Sequence, residues 1–443
     1  MTAVPESPES APSGLSPQPG RDAAALPDRA AVQRRTVNVL MAAQIFIGVG
    51  MGAVISSGSL LVERLTGSQA AAGFATTLVT LGAAALSVPL AALSRSRGRR
   101  AGLGTGTLIA AAGSLVVLVA APLGWVPLAF LGLLLVGAGT AANLQSRFAA
   151  TDLAEADGRA RALSLVVWSV TVGAVLGPNL SGPGAAVARA LQLPEEAGAF
   201  VFSGVAYFLG WALIHTRLRP DPMLLAARLN PGETAGRGAR FLTRMSGALR
   251  HVAASPSALT GLIALVLGHA VMVSVMTMTP VHLAHHGASL SVVGFTISLH
   301  IAGMYAFSPL VGRAADRFGR VPVILAGQVV YVAATLLAGT AGDRRWAVTA
   351  GLFLLGVGWS CATVAASTLL SESVDAAHRA EVQGASDMLM GLVGAAGGAL
   401  SGAFVALSGY GGLNAAAAVL VLPVSGCALY FALRKRQEGP GRA

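Results

Sequence analysis

Residues 312–320 read Gly312-Arg-Ala-Ala-Asp316-Arg317-Phe-Gly319-Arg320, a short charged stretch between two long apolar runs. A weaker copy occupies residues 91–100, which read Ala-Ala-Leu-Ser-Arg-Ser-Arg-Gly-Arg-Arg, and the offset between the two matching glycines is 319 − 98 = 221. One loop sequence that occurs twice in a chain indicates an internal repeat. We therefore expect a protein built from two related halves.

Further positions extend the repeat beyond these two loops. Displaced by 220 residues, Asp152 corresponds to Glu372, Arg159 to Arg379, Gly177 to Gly397, and Gly182 to Gly402. Because both loops and both helix interiors keep nearly one offset, the repeat covers most of the chain. It predicts that each half has the same order of helices.

The apolar runs on either side of the loops predict membrane helices. The chain is 54% hydrophobic and 11% charged, whereas a soluble domain has about 25% charged residues. Runs long enough to cross about 30 Å of hydrocarbon lie near residues 37–62, 71–94, 102–121, 126–146, 162–186, 199–216, 257–281, 291–311, 321–340, 346–370, 382–406 and 413–433. We expect an all-α membrane protein with twelve transmembrane helices in two six-helix halves.

The arginines predict the orientation of these helices. If both termini are cytoplasmic, only Arg64, Arg189, Arg344 and Arg345 lie outside, so 30 − 4 = 26 of the Lys and Arg residues lie inside. Positive residues concentrate in cytoplasmic loops. The net charge of +11 is therefore explained by the membrane, and no nucleic-acid partner is implied. We expect a multi-pass protein of the cell membrane with lipid around it and both termini inside.

Polar segments divide the chain into five parts. We expect a disordered cytoplasmic tail at 1–35, an N-terminal half at 36–216, a cytoplasmic linker at 217–256, a C-terminal half at 257–433 and a second tail at 434–443. The linker is the longest polar segment between apolar runs and carries seven arginines. It separates the two six-helix units.

The stretch at residues 312–320 resembles the G-x-x-x-D-R-x-G-R signature of the major facilitator superfamily, which follows the second helix of each half. The resemblance, with the matching helix number, covers residues 36–433 and implies the fold of that superfamily and a transporter that works by alternating access. The first copy departs from the signature, because Arg95 stands in place of Asp and Ala91 in place of Gly. The N-terminal loop is therefore expected to pair differently, with Asp152.

Physical roles for these loop residues follow from their chemistry. A glycine allows close helix packing or a tight turn, and carboxylates with arginines at helix ends form ion pairs. Ion pairs between rocking bundles would hold one face closed and break when it opens. The residues to which we assign gating are Gly312, Asp316, Arg317, Gly319, Arg320, Glu372, Arg379, Gly98, Arg99, Arg100 and Asp152. The alternative is that the arginines only anchor the helix ends.

The fifth predicted helix contains a second recognisable element. Residues 173–179 read Gly173-Ala-Val-Leu-Gly177-Pro178-Asn179, which is similar to the G-x-x-x-G-P element of many antiporters in the superfamily. Pro178 predicts a kink and the two glycines allow close helix packing. Small-residue packing alone also explains the pattern, so both interpretations stay open.

Methionines and a histidine on the seventh and eighth helices form the candidate site. Met272 and Met276, and likewise His300 and Met304, are four residues apart, so each pair shares one helix face. Thioether sulfur selects Cu(I), and imidazole also suits copper. The pattern resembles the CcoA-like copper importers, and this resemblance implies that these four residues bind the metal. The alternative is that the methionines only fill space in the protein interior.

Two other ionisable residues in the spans are candidates for a proton or ion site. His269 lies inside the seventh helix and Asp387 lies in the first turns of the eleventh. An ionisable residue inside a membrane is a functional candidate by default. For Asp387 the alternative is a helix-end charge that pairs with the arginine-rich loop after the eighth helix.

The sequence leaves three hypotheses for the function. The first is copper uptake through the Met and His site, and the second is proton-coupled efflux of small lipophilic or cationic compounds. The third, a membrane sensor or scaffold, is disfavoured by the gating residues. We find no arrangement of nucleophile and base and no nucleotide-binding loop, so we expect neither an enzyme nor a cofactor. We expect a monomer with a small solute as its partner.

Overall fold

The computed structural model describes residues 28–155, 159–229, 250, 252–253, 255–374 and 379–437, almost all of them in helices. We label the membrane-crossing helices α1 to α12. The N-terminal half contains α1 at Arg29–Thr66, α2 at Phe74–Arg97, α3 at Arg99–Leu123, α4 at Val126–Ala149, α5 at Arg159–Leu176 with its continuation Ser181–Ala190, and α6 at Gly198–Arg217. The C-terminal half begins with α7 at Pro256–His285, α8 at Leu290–Tyr305 with its continuation Ser308–Phe318, α9 at Arg320–Gly339, and α10 at Arg345–Glu372.

The last helical run makes two crossings. The helical run Arg379–Val419 is interrupted at Gly409, where φ is 72° and ψ is 174°. A glycine adopts this backbone conformation without strain. Val382 near the start of the run and Ala428 beyond its end belong to one buried cluster, although a straight helix would separate them by about 70 Å. The chain therefore doubles back at Gly409, and we label residues 379–408 as α11 and 410–419 with Val421–Gln437 as α12.

With this reversal the described residues make twelve crossings. By length and composition, eleven described helical segments can cross a membrane, and the last of them spans 49 residues. That segment is more than twice the length that one crossing needs. The all-α membrane fold with twelve helices is confirmed.

The first helix differs from the sequence expectation. It begins at Arg29, inside the segment expected to be a disordered tail up to residue 35. The side chain of Asp28 accepts a hydrogen bond from Ala30 N and caps the helix. Arg29 and Gln33 then donate to the carbonyls of Leu153 and Ala150. These contacts order the extra turns. Residues 1–27 of that predicted tail lie outside the described part of the chain.

The predicted linker contains a short helix at Pro222–Leu229. Asp221 caps it by accepting from Met223 N at 3.0 Å, and its other carboxylate oxygen accepts from Arg100 N at 2.8 Å. Leu225 is buried against Val32. The linker is therefore attached to the start of α3. Its residues 230–249, and residues 438–443 of the second predicted tail, lie outside the described part of the chain.

The two ends of the bundle carry different loops. We call the end with Arg29, Gln437 and the loops after the even-numbered helices the tail side, and the opposite end the far side. The repeat is visible in the packing: Gly182 on α5 faces Ser291 on α8, and Gly402 on α11 faces Ala70 before α2. Equivalent glycines therefore lie at equivalent contacts between the halves.

Candidate functional site

A cavity of about 290 Å³ lies between the two halves. It is lined by α1, α2, α4, α5 and α6 from one half and by α7 and α8 from the other. Its neutral polar side chains are Ser59, Thr76, Thr80, Thr140, Asn143, Tyr207, His269 and Tyr305. The other residues that line it are apolar, and no Asp, Glu, Lys or Arg from the described part of the chain is among them. The cavity suits an uncharged solute, because nothing in its wall would compensate a buried charge.

Three of the four copper candidates line this cavity. They are Met272, Met276 and Met304, and each is at most 9% exposed. Met51 on α1 lines the cavity as well; it was not predicted, because it lies on a distant helix and outside the two motifs of α7 and α8. Met278 is fully buried elsewhere in the interior. The thioethers thus give the cavity a soft, polarisable wall.

His300, the fourth candidate, does not line the cavity. It is fully buried, and its Nδ1 lies 2.7 Å from the carbonyl oxygen of Leu352 on α10. A carbonyl only accepts, so Nδ1 carries the proton and a neutral ring has its lone pair on Nε2. That Nε2 is buried without a hydrogen-bond partner among the described residues. The tautomer is the one a metal ligand needs, but the position is behind the cavity wall.

His269 has the opposite arrangement. It lines the cavity, and Trp359 Nε1 on α10 donates to its Nδ1 at 3.2 Å. An indole N–H only donates, so Nδ1 of His269 must be the acceptor. The ring is then neutral, with its proton on Nε2. In this conformation His269 holds no second proton and offers no lone pair to a metal.

Tyrosine and asparagine side chains complete the polar part of the wall. The buried hydroxyl of Tyr207 has no hydrogen-bond partner among the described residues, although the ring lines the cavity. The side-chain oxygen of Asn143 accepts from Gln44 Nε2 at 2.7 Å. Neither Tyr207 nor Asn143 was among the predicted site residues. The available signal was an aromatic hydroxyl inside a span, which needs a partner when buried.

On the far side the two halves are in contact. Asn179 on α5 donates to Ser298 Oγ on α8 at 2.7 Å, and Thr77 on α2 donates to the Ala395 carbonyl on α11 at 2.8 Å. His285 Nε2 lies 2.7 Å from Glu63 Oε1, which joins the end of α7 to the end of α1. The far end of the cavity is closed by these contacts.

The antiporter-like element of α5 lies in this contact region. Gly173 and Gly177 pack against the backbone of α1, and Pro178 lies in a 3₁₀ turn at Gly177–Leu180 between the two parts of the helix. A Cβ at Gly294 on α8 would overlap the carbonyl oxygen of Pro178. The element therefore brings α5 against both α1 and α8.

The charged loops lie on the tail side, and their ion pairs repeat in the two halves. Arg99 Nε lies 2.8 Å from Asp152 Oδ2, and Arg320 Nη2 lies 2.8 Å from Glu372 Oε1. Arg320 also contacts Asp316 at 3.1 Å. Each of these pairs stays within its own half, so the expectation that they join the halves is not met in this conformation.

The remaining gating candidates have separate local roles. Gly98 and Gly319 have φ of 90° and 94° and precede α3 and α9, as expected for tight turns. The guanidinium of Arg317 lies over the ring of Phe318. A Cβ at Gly312 would meet no described atom within 4 Å, so the close helix approach expected there is absent in this conformation. The side chain of Arg379 lies outside the described part of the chain.

Asp387 joins the halves on the tail side. Its carboxylate lies 3.1 Å from Arg147 Nη2 on α4, and both side chains are partly exposed. Asp387 thus pairs with an arginine of α4 and not with the arginine-rich loop after α8. Asp387 does not line the cavity.

Charge reversal at this pair is expected to shift the halves apart on the tail side. Arg147→Asp or Asp387→Arg places like charges together, whereas the double exchange restores attraction. Exposed pairs contribute at most about 1 kcal/mol, so each single variant should change the open population by up to about fivefold. Distances measured between spin labels on α4 and α11 test this. Single and double variants with the same distance distribution would show that the pair has no gating role.

The chain is similar in sequence to known transporters along most of its length. A family model described as Major Facilitator Superfamily matches residues 40–287 and 281–443. The uncharacterized MFS-type transporter YddS of Bacillus subtilis is 40% identical over 91% of this chain and 92% of its own length. The riboflavin transporter RfnT of Brucella anthropi is 27% identical over 93% of this chain and 98% of its own length.

Among solved structures, a crystal structure of the nucleoside transporter NupG superposes with a TM-score of 0.68. The alignment covers 89% of this chain and 99% of NupG at 14% sequence identity. At that identity the likeness shows the shared fold alone.

Proposed function

The chain belongs to the major facilitator superfamily, and on that premise we propose that it carries uncharged, largely apolar organic solutes by alternating access. It is a multi-pass membrane transporter and not an enzyme. Transporters of this superfamily carry small solutes, so the question that remains is which class of solute enters the cavity.

The observation that carries this proposal is the composition of the cavity wall. Its described side chains are neutral, with thioethers, aliphatic groups and aromatic rings around a few hydroxyls and one imidazole. A binding site of mostly apolar surface with a few convergent polar groups is typical for organic ligands. A lipophilic cation would need a carboxylate in the wall, and the described wall has none. Of the two classes first considered for efflux, the uncharged lipophilic class therefore fits better.

The full-length relative named as a riboflavin transporter supports a planar solute. Aromatic rings of Tyr207 and Tyr305 line the cavity together with methionine sulfurs. Such groups pack well against the face of a flat ring system. We therefore expect planar, uncharged heteroaromatic compounds to be among the solutes.

In alternating access, the two halves move relative to each other so that the cavity opens to one side of the membrane at a time. We propose that residues 36–216 and 257–433 rock as two bodies around the cavity within one chain, which acts as a monomer. We propose that the tail side and both termini lie in the cytoplasm, an orientation that the arginine distribution favours. The far side, closed here by α2, α5, α8 and α11, then faces outward. The glycine and proline element of α5 favours export over uptake.

Transport into inside-out membrane vesicles tests this proposal. Vesicles that contain the protein and an imposed proton gradient should accumulate labelled chloramphenicol or riboflavin, which are uncharged. They should not accumulate labelled tetraphenylphosphonium, a lipophilic cation. Accumulation of the cation alone would contradict the proposed solute class. Loss of uptake on collapse of the gradient would support proton coupling.

Copper uptake is the second candidate function. Three thioethers line the cavity, and His300 keeps a buried, unpartnered Nε2 lone pair. These features suit Cu(I) as the cargo. It ranks second because the imidazole lies behind the wall, while the residues that line the cavity would equally hold an organic solute.

A pair of methionine variants separates the two functions. Met276 lines the cavity and Met278 is buried outside it, so Met276→Leu removes a thioether from the site and Met278→Leu is a matched control. If copper is the cargo, cellular copper accumulation should fall about tenfold in Met276→Leu alone. Because we propose an organic solute, we expect the copper content of cells with either variant to equal that of cells without the protein. A selective fall in Met276→Leu would favour copper.

A further inference from the structure

One polar group of the cavity has a fixed hydrogen-bonding role. Trp359 Nε1 donates to Nδ1 of His269 at 3.2 Å. As long as this bond exists, the imidazole is neutral and carries its proton on Nε2. The Nε2–H therefore acts as a donor only, and it cannot become an acceptor without the loss of the Trp359 bond.

This donor has no partner within the protein. No described residue accepts a hydrogen bond from His269 Nε2, while the residue lines the cavity. A Cβ at Gly394 on α11 would lie 3.0 Å from Nε2. Because position 394 is a glycine, the close contact that a side chain there would make with Nε2 is avoided. A polar group without a protein partner at a binding cavity is free to bind a solute.

The surroundings of the donor are aromatic. The rings of Tyr305 and Trp359 meet edge to face, with centroids 5.7 Å apart and an interplanar angle of 72°. Tyr305 lines the cavity beside Met272 and Met304. These groups provide apolar contacts next to a single directed N–H group. Shape and polarity together favour a flat solute with an acceptor at its edge.

We propose that His269 determines specificity by donating its Nε2–H to a carbonyl oxygen or ring nitrogen of the solute, and that Trp359 positions it for this role. The inference rests on the proposed function and narrows its solute class to uncharged aromatic compounds with an edge acceptor. Compounds of the same shape without an acceptor leave the donor unpaired and lose affinity. The acceptor also distinguishes the solute from plain hydrocarbons of the membrane.

Binding of xanthone and xanthene tests the inference. These uncharged tricyclic compounds differ in the carbonyl group that only xanthone has. Binding of tritiated xanthone to the purified full-length protein is measured directly, and xanthene is measured as a competitor. We expect wild type to prefer xanthone by about tenfold, the effect of one hydrogen bond whose loss leaves a donor unpaired.

Variants then identify the group responsible. His269→Phe keeps an aromatic ring without the donor, so the preference for xanthone should fall to about one while xanthene affinity is kept. Trp359→Phe removes the N–H group that donates to Nδ1 of His269, so either tautomer of the imidazole can form. The preference for xanthone should then fall partly. Trp346→Phe, at a ring that is 66% exposed, is the control and should behave as wild type. Gly394→Ala narrows the space at Nε2 and should weaken xanthone binding selectively.

Each outcome has one meaning. Retention of the tenfold preference in His269→Phe would overturn the inference while the proposed function stands. Equal affinity of wild type for both compounds would overturn it in the same way. If wild type binds neither compound nor riboflavin, the proposed function fails and the inference fails with it.

Discussion

A tryptophan at position 140 is expected to abolish solute binding and transport. Thr140 lies on α4 and lines the cavity. An indole side chain there would take up much of a space of about 290 Å³, and a planar solute could no longer be enclosed. We expect affinity to fall on the order of 100-fold or more, because most of the solute surface must be buried for tight binding.

Leu131→Trp is the matched control for this variant. Leu131 is on the same helix and is 50% exposed on the outer surface, so an indole there meets lipid. Binding of tritiated xanthone and vesicle transport are measured for both variants at matched expression. Wild-type binding by Thr140→Trp would show that the cavity is not the solute site.

Closure of the far side is expected to fail in Gly402→Leu. A Cβ at Gly402 would overlap the carbonyl oxygen of Ala70, so α11 cannot approach the start of α2 with any larger side chain. The carbonyl oxygen belongs to the backbone and the position of a Cβ is fixed by the backbone, so neither atom can rotate away. We expect transport to fall on the order of 100-fold, since alternating access needs each side to close in turn.

Cross-linking of introduced cysteines by a short bismaleimide measures this closure directly, because the reagent spans the distance between two positions whose long side chains meet at their ends. Cysteines replace Glu63 and His285, whose side chains meet across the halves, after the native Cys361 and Cys427 are replaced. The cross-link should form in the wild-type background and fail with Gly402→Leu. Gly426→Leu is the control, because a Cβ at Gly426 would meet no described atom within 4 Å. Full cross-linking and transport in Gly402→Leu would contradict the described far-side contact.

Hydropathy and the repeat were sufficient to predict the fold. Crossing a bilayer requires long apolar helices, and this requirement is local in sequence, so the spans could be read without knowledge of packing. Two details of the fold could not be predicted from hydropathy or from the repeat. The extra turns of α1 depend on hydrogen bonds from Arg29 and Gln33 to a distant loop, and the linker helix depends on the contact of Asp221 with α3.

The site was predicted less completely, because the direction of a side chain depends on helix packing. His300 and Met304 are four residues apart, which rotates them by about 40° around the helix. That difference is enough for Met304 to line the cavity while His300 packs against α10. The role of His269 depends on Trp359, which is 90 residues away. Such a partner cannot be inferred from spacing along one helix.

The residues to which gating was assigned belong to two separate sets of contacts in the structure, and their gating role stays a prediction. The loop pairs of Arg99 and Arg320 are local to each half, whereas the halves meet through Arg147 and Asp387 on the tail side. The loop motif correctly predicted that equivalent ion pairs occur in the two halves. The contact between halves depends on the conformational state and so has no fixed signature in the sequence.

Equilibrium binding to the purified wild-type protein tests the central claim most directly. Labelled riboflavin and xanthone, tetraphenylphosphonium and Cu(I) are each titrated under the same conditions. The cavity described here predicts saturable binding of the uncharged aromatic compounds at one site per chain, with no binding of the organic cation. Binding of Cu(I) or the cation alone, with none of the uncharged compounds bound, would contradict it.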